Sequence, residues 1–228
     1  MSFPIKGFLE TSFVDWPGKI ASVIFLPHCN FRCPYCHNHG LVLYPDQFPT
    51  VPFQQILQKI KKHKGWIDGV CITGGEPTLF PELVQLIECL RNEHVLIKLD
   101  TNGSSPEVLG RLIQDHLIDH VAMDVKAPLS PASYSSCCGI SVNLEKIKES
   151  IDLLQKNLLP YEFRVTMVPT LLAREDILTL ANELKGSEKL TLQNFNPDNP
   201  LDPDLKNVKP YTEQEIKEMQ EEVNKILL

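Results

Sequence analysis

Residues 20–36 read IASVIFLPHCNFRCPYC, a strand-like run that breaks into a thiol-rich loop. Ile20 to Leu26 is short, apolar and β-branched, which suits a strand buried on both faces. Beyond it Cys29, Cys33 and Cys36 fall within eight residues, so one loop can wrap a single metal centre. Three is the informative number. A closed structural zinc site needs four ligands, and so does an iron-sulfur cluster held wholly by thiolates. A cubane held by three thiolates leaves one iron open to another ligand. Zinc is the competing reading, with His28, His37 or His39 completing the set.

Outward from this stretch the chain alternates. Phe53, Ile56, Leu57 and Ile60 recur at helical spacing and end in lysines that suit a helix C-terminus, with Gly65 beyond. Val70–Thr73 reads as a strand, Gly74-Gly75-Glu76-Pro77 as a turn, and Leu83, Leu86, Ile87 and Leu90 as a helix stripe. The unit recurs with a strand from Val95 to Leu99, a helix opened by Ser105-Pro106, and a strand from His120 to Asp124. A loop from Ala127 to Val142, a helix capped by Asn143, a strand from Phe163 to Val168 and a helix marked by Ile177, Leu180, Ala181 and Leu184 follow. Leu190 to Phe195 is the sixth strand, and after a proline-rich loop Ile216, Met219, Val223 and Ile226 face inward from a last helix.

Strands alternating with amphipathic helices require a parallel sheet, either open or curled into a barrel. The polar motifs favour the barrel, because the cysteine loop, GGEP, DTNG (100–103), DVK (124–126) and the end of LQNF (192–195) all fall at carboxyl ends of strands, where barrel sites are built. The expected architecture is α/β, an incomplete parallel (β/α)6 barrel in a single domain over 1–228. Its core spans about residues 20–195, with an N-terminal extension over 1–19 and a proline-rich loop and C-terminal helix over 196–228.

Composition bounds the function. The 228 residues are 43% hydrophobic and 22% charged, as in a soluble globular protein, and the net charge of -7 gives no field that would gather nucleic acid. No run approaches a signal-peptide core or a membrane span, so a cytoplasmic protein without a membrane partner is expected. Seven cysteines, an odd number, argue against a disulfide framework. Cys71 and Cys89 read as small buried hydrophobes, and the adjacent Cys137 and Cys138 as loop thiols without a role.

The spacing Cys29-x3-Cys33-x2-Cys36 with Tyr35 before the last cysteine, followed by Gly74-Gly75-Glu76-Pro77 after the second strand, resembles the radical S-adenosylmethionine superfamily. The likeness runs from about Glu10 to Phe195. Asp15-Trp16-Pro17-Gly18-Lys19, Cys36-His37-Asn38, Asp100-Thr101-Asn102-Gly103 and Asp124-Val125-Lys126 are similar to the glycyl-radical-enzyme activases, above all those serving anaerobic ribonucleoside-triphosphate reductase. No inserted ferredoxin-like module with further cysteine runs is present.

That resemblance implies a 4Fe-4S cluster on Cys29, Cys33 and Cys36, with S-adenosylmethionine on the fourth iron. One-electron cleavage would then give methionine and a 5'-deoxyadenosyl radical able to take hydrogen from a glycine of a partner glycyl radical enzyme. A flavodoxin or ferredoxin would supply the electron. It further implies that Gly74 and Gly75 admit the methionine ammonium, with Glu76 beside it and Tyr35 packing on adenine or shielding the cluster. Asp100 and Asn102 would meet the ribose, Asp124 the ribose and Lys126 the carboxylate, with Arg164 nearby and Gln193 on the far side. The plainer readings are an Asp124–Lys126 structural ion pair, an Arg164–Glu162 bridge, and an aromatic plug at Trp16. Alternatives in function are a radical enzyme acting on a small molecule or modified nucleoside, and a noncatalytic metal-binding module.

Overall fold

The computed structural model describes residues 3–228. Seven strands follow one another in the sheet in chain order, and among the described residues the first and last strands do not pair, so the sheet stays open. The incomplete barrel is thus borne out, with one strand more than the six read from the sequence. The extra strand is β1 (Gly7–Ser12), which runs antiparallel to β2 (Ala21–Leu26). Its half-exposed faces carry no clear alternation, and this is why the sequence did not reveal it.

Two compact units make up the chain. The first takes residues up to Asn30, Asn38–Thr101 and Glu107–Ala122. Within it β2 pairs in parallel with β3 (Gly69–Gly74), and β3 with β4 (Leu96–Thr101). The parallel register follows from burial on both faces: Val23, Ile24, Val70, Ile72 and Leu99 are all sealed from water. Helices α1 (His39–Leu43), α2 (Phe53–Lys62), α3 (Leu83–Arg91) and α4 (Pro106–Gln114) accompany these strands, α4 beginning in the other unit at Pro106. Trp16 is buried and its ring lies 5.8 Å from that of His120, while a Cβ on Gly69 would stand 2.5 Å from the indole. The plug reading of Asp15-Trp16-Pro17-Gly18 fits this packing: Trp16 is buried against the start of β3 and beside His120.

The second unit takes Phe31–His37, Asn102–Pro106 and Met123–Leu228. The strand β5 (His120–Asp124) crosses from one unit into the other, and β6 (Tyr161–Met167) pairs in parallel with β7 (Leu190–Asn194). The unit's helices are α5 (Pro131–Cys138), α6 (Leu144–Leu154), α7 (Arg174–Glu183) and α8 (Glu213–Leu227). Asn143 caps α6 as expected, and a reciprocal Thr212–Glu215 capping box starts α8. On α8 Met219 and Val223 are sealed as expected, Ile216 and Ile226 are half-buried, and in the last turn Leu227 is the sealed residue. The stretch expected as a loop, 127–142, contains α5.

Candidate active site

In the first unit, β2 ends at Leu26 and its continuation meets the glycine pair after β3. Gly75 donates its N–H to the Leu26 carbonyl at 2.8 Å, and Glu76 donates to the His28 carbonyl at 2.7 Å. A Cβ on Gly75 would lie 1.7 Å from the His28 oxygen, and one on Gly74, whose φ is +115°, 2.4 Å from the Leu26 oxygen. Only glycine fits such a backbone-on-backbone contact. What the pair approaches is thus the segment that launches the cysteine loop one residue before Cys29. Asn38, two residues past Cys36, returns to the same point, its side-chain amide donating to the Gly74 carbonyl at 3.0 Å.

Glu76 is buried, and its Oε1 accepts from the Thr78 amide at 3.1 Å, the Thr78 hydroxyl at 2.6 Å and the Thr101 hydroxyl at 2.7 Å. Its carboxylate joins the turn after β3 to the end of β4. One further charged group was not foreseen in the sequence: Lys98, wholly buried in β4, pairs with Asp100 and reaches the Cys71 sulfur at 3.9 Å. The cue was available, since Lys98 and Asp100 sit two apart on a strand and so share a face.

The second unit holds Cys33, Tyr35 and Cys36. Cys33 and Tyr35 are buried and Cys36 half-buried. The neighbouring Cys138 thiol and the charge of Lys126 outweigh burial and bring the Cys33 thiol down to about 7. Cys137 moves the other way, pushed up to about 12 by burial and by Cys33. The Tyr35 hydroxyl is sealed from water and, among the described residues, has no hydrogen-bond partner of ordinary geometry. Cys137 and Cys138 are not loop thiols: both close helix α5 and are fully buried.

Asp124, at the end of β5, accepts from Lys126 Nζ at its Oδ2 and from Arg164 Nε at its Oδ1, both at 2.9 Å. Burial pushes the Asp124 carboxyl up, but Arg164 and Lys126 overcome it and hold the group well below the ordinary carboxylate range. Lys126 is correspondingly pushed up, Asp124 and the nearby Cys33 outweighing its own burial. The ion-pair reading of Asp124 and Lys126 holds geometrically, and Arg164 joins it. Glu162, the partner considered for Arg164, accepts from Lys189 and Thr191 at 3.0 Å each, and the charge of Arg164 also acts on it. The Asn102 side chain accepts the Ser104 amide at 2.9 Å, and Gln193 is exposed on β7. The long C-terminal loop is tied to the cysteine loop: Asp202 donates its N–H to the Pro34 carbonyl at 2.8 Å, and His37 Nε2 lies 2.7 Å from the Asn196 carbonyl.

Among the described residues no three His, Cys, Asp or Glu side chains converge on one metal ion, so the four-ligand zinc arrangement with His28, His37 or His39 is not assembled. A cubane makes no such demand, because each thiolate binds a different iron. The donor chemistry suits it: soft sulfurs, one of them poised toward thiolate by a neighbouring thiol and a neighbouring cation. No helix among the described residues is long and apolar enough to cross a membrane.

The sequence profile of the Radical SAM superfamily matches residues 23–184. A protein of Methanocaldococcus jannaschii, provisionally named a glycyl-radical enzyme activating enzyme, is 34% identical over 218 residues, covering 94% of this chain and 89% of that protein. A provisionally named GTP 3',8-cyclase of Methanococcus maripaludis is 27% identical over 161 residues, covering 64% of this chain but only 51% of that protein. Among solved structures, SuiB of Streptococcus suis bound to S-adenosylmethionine gives a TM-score of 0.63 at 16% identity, over 89% of this chain and 48% of that one, a likeness of fold. The profile covers well over half of the chain, and its superfamily is one of enzymes that work with a 4Fe-4S cluster and S-adenosylmethionine. By that match the chain is an enzyme and belongs to the radical S-adenosylmethionine superfamily.

Proposed function

We propose that this enzyme activates a glycyl radical enzyme, with anaerobic ribonucleoside-triphosphate reductase as the partner. The observation that carries the reading is the 34% identity to an activating-enzyme relative along nearly the full length of both chains. Cys29, Cys33 and Cys36 are the cluster ligands. When bound and reduced, the cluster supplies the electron that cleaves the sulfonium of S-adenosylmethionine, yielding methionine and a carbon radical able to take hydrogen from a glycine α-carbon.

The chain's own groups position and seal. Gly74 and Gly75 fix the start of the cysteine loop by backbone contact, and Asn38 fixes its end. Glu76 braces the turn beside the methionine amine. Lys126 and Arg164, held side by side on Asp124, present positive charge to the methionine carboxylate. Asp100, steadied by Lys98, and Asn102 serve the ribose, Tyr35 shields the cluster, and Gln193 borders the far side. Flavodoxin or ferredoxin delivers the electron. The GTP-cyclase relative favours a second reading, a nucleotide substrate in the same site.

Anaerobic reconstitution separates these readings. The protein is expected to take up about four irons per chain, to release 5'-deoxyadenosine after reduction, and to do so faster with the reductase than with GTP. An intact cluster that never cleaves S-adenosylmethionine would overturn the proposal, and acceleration by GTP alone would favour the second reading.

A further inference from the structure

Strand β4 has the sequence LIKLDT, in which Lys98 stands between the sealed Ile97 and Leu99. Its register partner on β3 is Cys71, whose own partner on β2 is Val23, and both of these are fully buried. A lysine in such a row is far more costly than a methionine of similar volume, because its ammonium leaves water. The compensation lies further along the strand. Lys98 and Asp100 are two residues apart, so they share a face and stand about 7 Å apart along the backbone. The four-carbon stem of lysine spans that gap: Nζ pairs with Asp100 Oδ1 and lies 3.9 Å from the Cys71 sulfur. The pair is graded in exposure. The Lys98 side chain is 0% exposed, whereas the Asp100 side chain, nearer the carboxyl end of β4, keeps 11%. The ammonium therefore lies behind the carboxylate, and the carboxylate is the member a ligand can reach.

We propose that Lys98 is a specificity-determining residue that acts through Asp100 and makes the site select ribose against deoxyribose. The inference rests on the assignment of Asp100 to the ribose made above. An aspartate side chain turns about two bonds, and a ribose hydroxyl gains from it only while one rotamer persists. With Oδ1 tied to a buried ammonium, that rotamer is set before any ligand arrives, so binding need not order it. The hydroxyl that meets the carboxylate then donates to a charged acceptor, a bond whose loss weakens binding about tenfold or more. A purely structural ion pair would stabilise the fold without changing which sugar is preferred.

The test is equilibrium binding of S-adenosylhomocysteine and of its 2'-deoxy and 3'-deoxy forms to the anaerobically reconstituted protein, in wild type, Lys98→Met, Lys98→Gln and Asp100→Asn, with circular dichroism of each. In wild type at least one deoxy form is expected to bind about tenfold or more weakly than the parent. That penalty is expected to shrink severalfold in Lys98→Met and to lie between the two in Lys98→Gln, which keeps an N–H donor but no charge. Should the methionine variant not fold, the glutamine variant carries the test. The full wild-type penalty in a folded Lys98 variant would overturn the proposal. So would an equal loss of affinity for all three ligands, since Lys98 would then serve the fold alone. An Asp100→Asn variant that keeps the wild-type penalty, or a wild type that shows none, would instead sink the assignment of Asp100 to the ribose, and the proposal with it.

Discussion

Asp124→Asn tests whether the charged cluster at the end of β5 is held together as described. The carboxylate lies 2.9 Å from both Lys126 Nζ and Arg164 Nε, whose side chains are 12% and 14% exposed. Removing one partner from a buried ion pair costs about 3–5 kcal/mol, because the other charge is left uncompensated. The Asp124 side chain is 28% exposed, and solvent screens part of that loss, so about 2–3 kcal/mol is the fitting figure. For a chain of this size that corresponds to a fall in Tm of about 4–12 °C. The assay is thermal unfolding of the metal-free protein at neutral pH, followed by circular dichroism. The pH dependence has a definite sign. Arg164 and Lys126 hold the Asp124 carboxyl below its unfolded value, so its contribution is complete above about pH 4 and fades as the pH falls further. The gap between wild type and Asp124→Asn should narrow in acid. A fall in Tm under about 2 °C, or a gap that widens in acid, would refute the reasoning.

Two further outcomes follow from the same structure. Gly75→Ala places a Cβ 1.7 Å from the His28 carbonyl oxygen, and the backbone must shift at a cost of about 3 kcal/mol; a lower Tm and reduced iron uptake on reconstitution are expected, and wild-type values in both would show that the contact yields easily. Thr101→Val takes a hydroxyl donor from the buried Glu76 carboxylate, with an expected loss of about 1–3 kcal/mol in urea unfolding, whereas a neutral effect would mean that the bond contributes nothing.

Much of the fold was legible because its strands are buried on both faces and read as β-branched runs, as Ala21–Leu26 and Gly69–Gly74 do. The two features missed have physical reasons. β1 is an edge strand with half-exposed faces, so burial never imposed a pattern on it. α5 contains serines, cysteines and a proline, and only its caps and its burial make it helical; the Ser130-Pro131 start and Gly139 stop were the available cues. In the site, the cysteine loop and GGEP stand out because their spacing is dictated by short-range backbone geometry. The role of GGEP as a clamp on residues 26–28 was not legible, since it depends on a partner strand far away in sequence. The same holds for Arg164, whose partner lies 40 residues earlier.

The central claim is that this radical enzyme acts on a protein glycine. The most direct measurement is electron paramagnetic resonance on an anaerobic mixture of the reconstituted, reduced protein, S-adenosylmethionine and anaerobic ribonucleoside-triphosphate reductase, beside the same mixture with the reductase's radical glycine changed to alanine. A glycyl radical doublet in the first mixture and none in the second is the expected result. S-adenosylmethionine consumed in both, with no doublet in either, would contradict the claim.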